Sequence, residues 1–142
     1  MNRYIMTIIA MLGLISLMGI VNAYTEPEYS PYYENKLDKV SCIYYGPFAM
    51  YFAMGADAFG APEGLVSGYY SDLGTAFDAM ESCASSEDAA CFNAAHADFQ
   101  YAFNQLRMLY LMYGVLDGYP DIWHDYSVAQ GELLSCYNGE LT

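Results

Sequence analysis

Four stretches of this chain repeat apolar residues every three to four positions, three of them closed by glycine or proline and the second by a Ser-Ser-Glu-Asp run, and no stretch alternates apolar with polar residues for long enough to form a strand. Helices striped in this way hide their apolar faces only by packing on one another, so the expected class is all-α.

The first helical segment is expected over about 34–59, with Leu37, Val40, Tyr44, Phe48, Tyr51, Met54 and Ala58 along one stripe. Gly46-Pro47 interrupts it, and proline in a helix interior costs about 3 kcal/mol, so a kink or a new start with Pro47 in the first turn is required. No charge lies between Ser41 and Ala56, which makes this segment central or part of an interface. The second segment follows Gly60-Ala61-Pro62 and carries Leu65, Val66, Tyr69, Leu73, Phe77, Met80 and Cys83 on one side. The third opens on Ser85-Ser86-Glu87-Asp88, a start resembling a capping box, and runs to Leu116 with Phe92, Phe99, Phe103, Leu106, Tyr110 and Tyr113 in a stripe. The fourth begins near Pro120 and carries Ile122, Tyr126, Ala129, Leu133 and Cys136 to an Asn138-Gly139 terminator. Short links between successive helices imply antiparallel neighbours, hence an up-down-up-down four-helix bundle.

Four cysteines, Cys42, Cys83, Cys91 and Cys136, allow three pairings. The bundle reading puts Cys42 near the start of helix one, Cys83 at the end of two, Cys91 at the start of three and Cys136 at the end of four. All four then sit toward one end, which favours Cys42 with Cys136 and Cys83 with Cys91. A four-thiolate metal site would want a Cys-x-x-Cys pair, and the chain has none.

Disulfides fit an exported chain, and the N-terminus reads as an export signal: Met1-Asn2-Arg3, an apolar run to Val21, then Val21-Asn22-Ala23 as a cleavage motif. The domain plan is therefore a signal peptide over 1–23, an extended acidic arm over 24–33 with Pro27 and Pro31, and a bundle over 34–142. The expected location is secreted, extracellular or periplasmic, without stable membrane insertion once the signal is removed. All 17 acids lie beyond the signal against three lysines and arginines, a balance of −14. Such a surface repels nucleic acid and anionic lipid and attracts cationic partners.

No motif identifies a reaction. Asp121-Ile122-Trp123-His124 has the carboxylate-x-x-histidine spacing of di-metal bundles, but no second pair accompanies it. The run from Cys91 to Tyr101 resembles the helix of secreted phospholipases A2, where a cysteine is followed by an adjacent His-Asp pair. In this chain Ala97 separates His96 from Asp98, turning the two side chains about 200° apart, and no glycine-rich calcium loop precedes them. No catalytic residue, metal or cofactor is assigned. What departs from an ordinary helical domain is the count of 16 tyrosines, a residue suited to wet interfaces and pocket walls. The candidate ligand or partner contacts are Tyr44, Tyr45, Tyr51, Tyr69, Tyr70, Tyr110, Tyr113 and Arg107. Arg107 is expected to pair with Asp72 or Asp78, or to clamp an anion. The function these features favour is non-enzymatic binding of a cationic protein or of an apolar small molecule between helices. The alternative is a structural subunit of an extracellular filament, coat or matrix, joined through the tyrosines and the charge-free face of helix one.

Overall fold

The computed structural model describes residues 29–137, all of whose regular elements are helices: α1 (Pro31–Tyr44), α2 (Phe48–Ala58), α3 (Glu63–Ser85), α4 (Ala89–Leu116) and α5 (Ile122–Tyr137). The expected signal peptide, the first half of the arm (24–28) and the Asn138-Gly139 terminator lie outside the described residues. None of the described helices is long and apolar enough to cross a membrane.

The expected first helix is two helices. Gly46-Pro47 ends α1 and starts α2, with the Tyr51 amide already donating to the Pro47 carbonyl at 2.8 Å. A side chain at Gly46 would overlap the Cys42 carbonyl, so the turn closes only around glycine. The break also resets the helical phase. A continuous stripe would bury Tyr51, Met54 and Ala58, whereas α2 buries Phe48, Ala49, Phe52, Ala53 and Ala56 and turns Tyr51 and Met54 outward. The helix also begins earlier than the arm boundary allowed. Pro31 occupies the first turn, where its missing N–H costs nothing, and Tyr33 is buried edge-on against Phe92.

Two other boundaries differ from expectation for local reasons. Ser85 belongs to α3, whose end is closed by Glu87 in a left-handed conformation (φ 55°) and by the Asp88 amide donating back to the Cys83 carbonyl. Asp88, rather than Ser85, caps α4, its carboxylate accepting from the Cys91 amide at 3.0 Å. In α3, Leu65 is exposed instead of buried.

The core is centred on α4. Its buried positions recur every three to four residues from Phe92 through Phe99, Phe103 and Leu106 to Tyr110, and they meet α1 at Tyr33 and α2 at Phe52. Leu73, Phe77 and Met80 of α3 and Ile122 and Leu133 of α5 complete it. Two glycines let backbones approach: a Cβ on Gly55 would sit 2.5 Å from the Tyr110 ring, and one on Gly114 would overlap Ile122.

The cysteines pair as Cys42–Cys136 and Cys83–Cys91, with Cα atoms 6.3 and 5.6 Å apart. The expected position of Cys42 is corrected, because it lies in the last turn of α1 instead of near a helix start. Its bond therefore fastens the α1–α2 break to the end of α5. Cys83–Cys91 closes the short α3–α4 turn.

Loop-closure entropy grows with the enclosed length, so Cys42→Ser/Cys136→Ser should cost about 4 to 5 kcal/mol and Cys83→Ser/Cys91→Ser about 2 to 3; urea denaturation of the two double variants measures the order. Gly55→Ala should destabilise by about 1–3 kcal/mol by pressing on Tyr110. By contrast Gly68→Ala, at an exposed position of α3 with open space around it, should stabilise by up to about 1 kcal/mol. Thermal melts of the pair check the opposite signs.

Candidate functional site

Because the phase reset at Pro47 turns Tyr51 and Met54 outward, α2 presents a concave surface on each of two sides. Toward α3 lies a groove of about 460 Å³ lined by Met50, Ala53, Met54, Asp57, Glu63, Val66, Ser67, Tyr70 and Ser71. Its floor is apolar, Met50 and Met54 being exposed, and both charged residues lining it are acids. Methionine's unbranched, polarisable side chain adapts to varied apolar shapes.

Toward α5 lies a narrower cleft of about 250 Å³. Pro47, Phe48 and Tyr51 form one wall, and His124, Asp125, Val128, Ala129 and Glu132 the other. Asp125 is the organised group of this cleft. One carboxylate oxygen accepts from the Tyr119 hydroxyl at 2.7 Å, and the other lies 3.3 Å from the His124 ring. These two hydrogen bonds, Tyr119 first, hold the Asp125 carboxyl below its ordinary range. Behind it Tyr51 and Tyr110 share a hydroxyl–hydroxyl hydrogen bond of 2.9 Å. Burial of Tyr110, then that hydrogen bond, raises its phenol well above the usual tyrosine range.

The nominated residues do not converge on one site. Tyr51 lines the cleft with Tyr110 behind it, and Tyr70 lines the groove. Tyr44 stacks on Phe77 at 5.3 Å, where Tyr45, largely exposed, meets the same ring edge-on. Tyr69 meets Tyr101 across α3 and α4, and Tyr113 is half-buried against the core. Arg107 is a correction. It turns to α5 rather than to Asp72 or Asp78 of α3, donating to Gln130 Oε1 at 3.0 Å and to Asn104, with its guanidinium 4.8 Å above the Phe103 ring. Burial lowers its pKa, and these neutral partners hold it as a structural strut. His96 faces inward while Asp98 is exposed; burial, and then Lys36, lower the His96 pKa and favour neutral imidazole. Among the described residues no group of three or more His, Cys, Asp or Glu side chains is arranged to hold a metal ion.

Sequence reasoning missed Met50, Met54, Asp57 and Glu63 as one surface. Restarting the helical count at Pro47 would have placed the two methionines outside. It also missed a charge-free patch of Met108, Leu111, Met112, Val115, Leu116 and Trp123, where α4 meets α5. Trp123 is 62% exposed there. The charge-free part of helix one is divided, with Ile43, Phe48, Ala49, Phe52, Ala53 and Ala56 in the core and Tyr45, Met50, Tyr51 and Met54 exposed.

Compared with protein-family models, curated proteins and solved structures, the chain matches none.

The raised Tyr110 pKa carries a sign. Its stabilising contribution is complete below the ordinary tyrosine value of about 10 and is lost as pH rises from there through the higher folded value. In an alkaline absorbance titration Tyr110 should ionise well above the ordinary tyrosine range, and Tyr110→Phe should remove that late component.

Proposed function

We propose that this chain is a secreted, non-enzymatic binding protein that receives a positively charged protein segment in the α2–α3 groove. The observation that carries the reading is the chemistry of the groove: an apolar floor of Met50, Ala53, Met54 and Val66, with charge supplied only by Asp57 and Glu63. An amphipathic helix with basic flanks would bury its apolar face on the methionines and set its cations against the two carboxylates. The groove lies open to solvent between two helices, and this suits a segment of chain better than a small apolar molecule, which wants enclosure on most sides. The −14 balance of the chain beyond the signal adds long-range attraction for such a partner. Secretion rests on the apolar leader and accords with two disulfide pairs.

The up-down-up-down arrangement belongs to this proposal, with α1 and α2 together taking the place of the first helix. It is supported by the α4–α5 pairings of Gly114 with Ile122 and Arg107 with Gln130. The structural-subunit alternative has one observation in its favour, the charge-free α4–α5 patch around Trp123. On that reading α4 and α5 add contacts to those of the exposed Tyr45, Met50, Tyr51 and Met54 in the charge-free stretch of helix one.

Calorimetric titration with a synthetic amphipathic Leu/Lys helical peptide tests the proposal. Binding should weaken at least tenfold in Met50→Ser/Met54→Ser, weaken in Asp57→Asn/Glu63→Gln, and fall as salt is raised. Equal binding by all three proteins would remove the groove from consideration. A concentration-dependent oligomer in sedimentation, abolished by Trp123→Ser, would move the reading to assembly.

A further inference from the structure

The cleft between α2 and α5 has a chemistry the groove lacks. Asp125, Val128, Ala129 and Glu132 recur at intervals of three and four and therefore share one face of α5. That face offers a carboxylate at each end, about 10 Å apart along the helix axis, with an apolar step between. The opposite wall is Pro47, Phe48 and the phenol ring of Tyr51, and no lysine or arginine lines the space. The Tyr51 ring, held by its hydrogen bond to Tyr110, lines the same cleft as Asp125. Each Asp125 oxygen uses one lone pair, toward Tyr119 or His124, and retains another.

A carboxylate fixed by two hydrogen bonds, in one cleft with an aromatic ring and apolar side chains, has the chemistry of a receptor for a positive charge on an apolar body. Anions are excluded by the two carboxylates, and neutral apolar molecules would leave Asp125 partly covered without compensation. The volume of about 250 Å³ lies just below the range of drug-sized pockets, so the occupant is small. We propose that this cleft is a second binding site, independent of the α2–α3 groove, for a small organic ammonium ion. Its cationic head lies between Asp125 and Tyr51, and its aromatic or alkyl body lies along Val128, Ala129 and Phe48 toward Glu132. Tyr119 is then a positioning residue, because its hydroxyl fixes the carboxylate without meeting the ligand.

Phenethylamine is the probe, with 2-phenylethanol as its uncharged counterpart and phenylacetate as its anionic one. Each is titrated into the oxidised full chain and followed by two-dimensional amide and methyl NMR. The expected result is saturable shifts at Tyr51, Val128 and Ala129 with phenethylamine. Affinity for the alcohol should be at least tenfold weaker, and phenylacetate should have no effect. Asp125→Asn should weaken phenethylamine at least tenfold, and Glu132→Gln, exposed at the far end, severalfold. Tyr119→Phe should weaken it less than Asp125→Asn while leaving the preference for amine over alcohol intact. Equal affinity for amine and alcohol, unchanged affinity in both Asp125→Asn and Glu132→Gln, or shifts confined to Met50, Met54 and Val66 would each overturn the proposal. Because the groove and the cleft use different residues, failure of amine binding leaves the peptide result untouched, and the converse holds.

Discussion

The turn at Gly46-Pro47 is the constraint on which the rest of this structure depends. Gly46 lies so close to the Cys42 carbonyl that no side chain fits, and Pro47 cannot continue the hydrogen-bonded ladder of α1. One segment therefore becomes two helices with different phases. α1 lays Tyr33 on the beginning of α4 and Tyr44 on α3, while α2 drives Phe52 into the second half of α4. The Cys42–Cys136 bond clamps this break from α5 and so holds the cleft mouth at Pro47 and Phe48 against the helix that carries Asp125.

Helix α4 is the surface on which these pieces meet. Its large rings alternate with alanines along the buried face, and small residues at Gly55 and Gly114 bring α2 and α5 close to it. Tyr110 joins fold to site. It packs on Phe52, Phe59 and Tyr126, and its hydroxyl holds Tyr51 at the cleft. Stability and recognition share that ring, and a change at Tyr110 would alter both.

Much of the architecture was legible in residue order. Apolar period and Gly/Pro punctuation located helices and turns, and helix ends favoured the two cysteine pairs the structure contains. The pairing survived although Cys42 sits at the end of a helix rather than near its start, because the break brings that end to the terminus of α5. The buried face of α2 was not legible while the stripe was counted across Pro47, since a restarted helix keeps no phase memory. Ser85-Ser86-Glu87-Asp88 offered several capping side chains, and only the left-handed Glu87 selects Asp88. Arg107 misled for another reason: opposite charge on α3 suggested a partner, whereas a cation over Phe103 and beside Gln130 meets its needs without an acid. The α4–α5 patch was hidden because a 28-residue helix that is apolar on several faces does not announce which face its neighbours leave uncovered.

The turn geometry at Gly46 sets the phase of α2 and with it both concave surfaces. The most direct measurement is the amide NMR spectrum of oxidised Gly46→Ala beside that of the unaltered chain. Resonances of residues 42–54 and of the facing α5 residues 124–132 should move together, while those of the α3–α4 turn around Cys83 and Cys91 stay in place. A spectrum superimposable on the original throughout 42–54 and 124–132 would contradict that dependence.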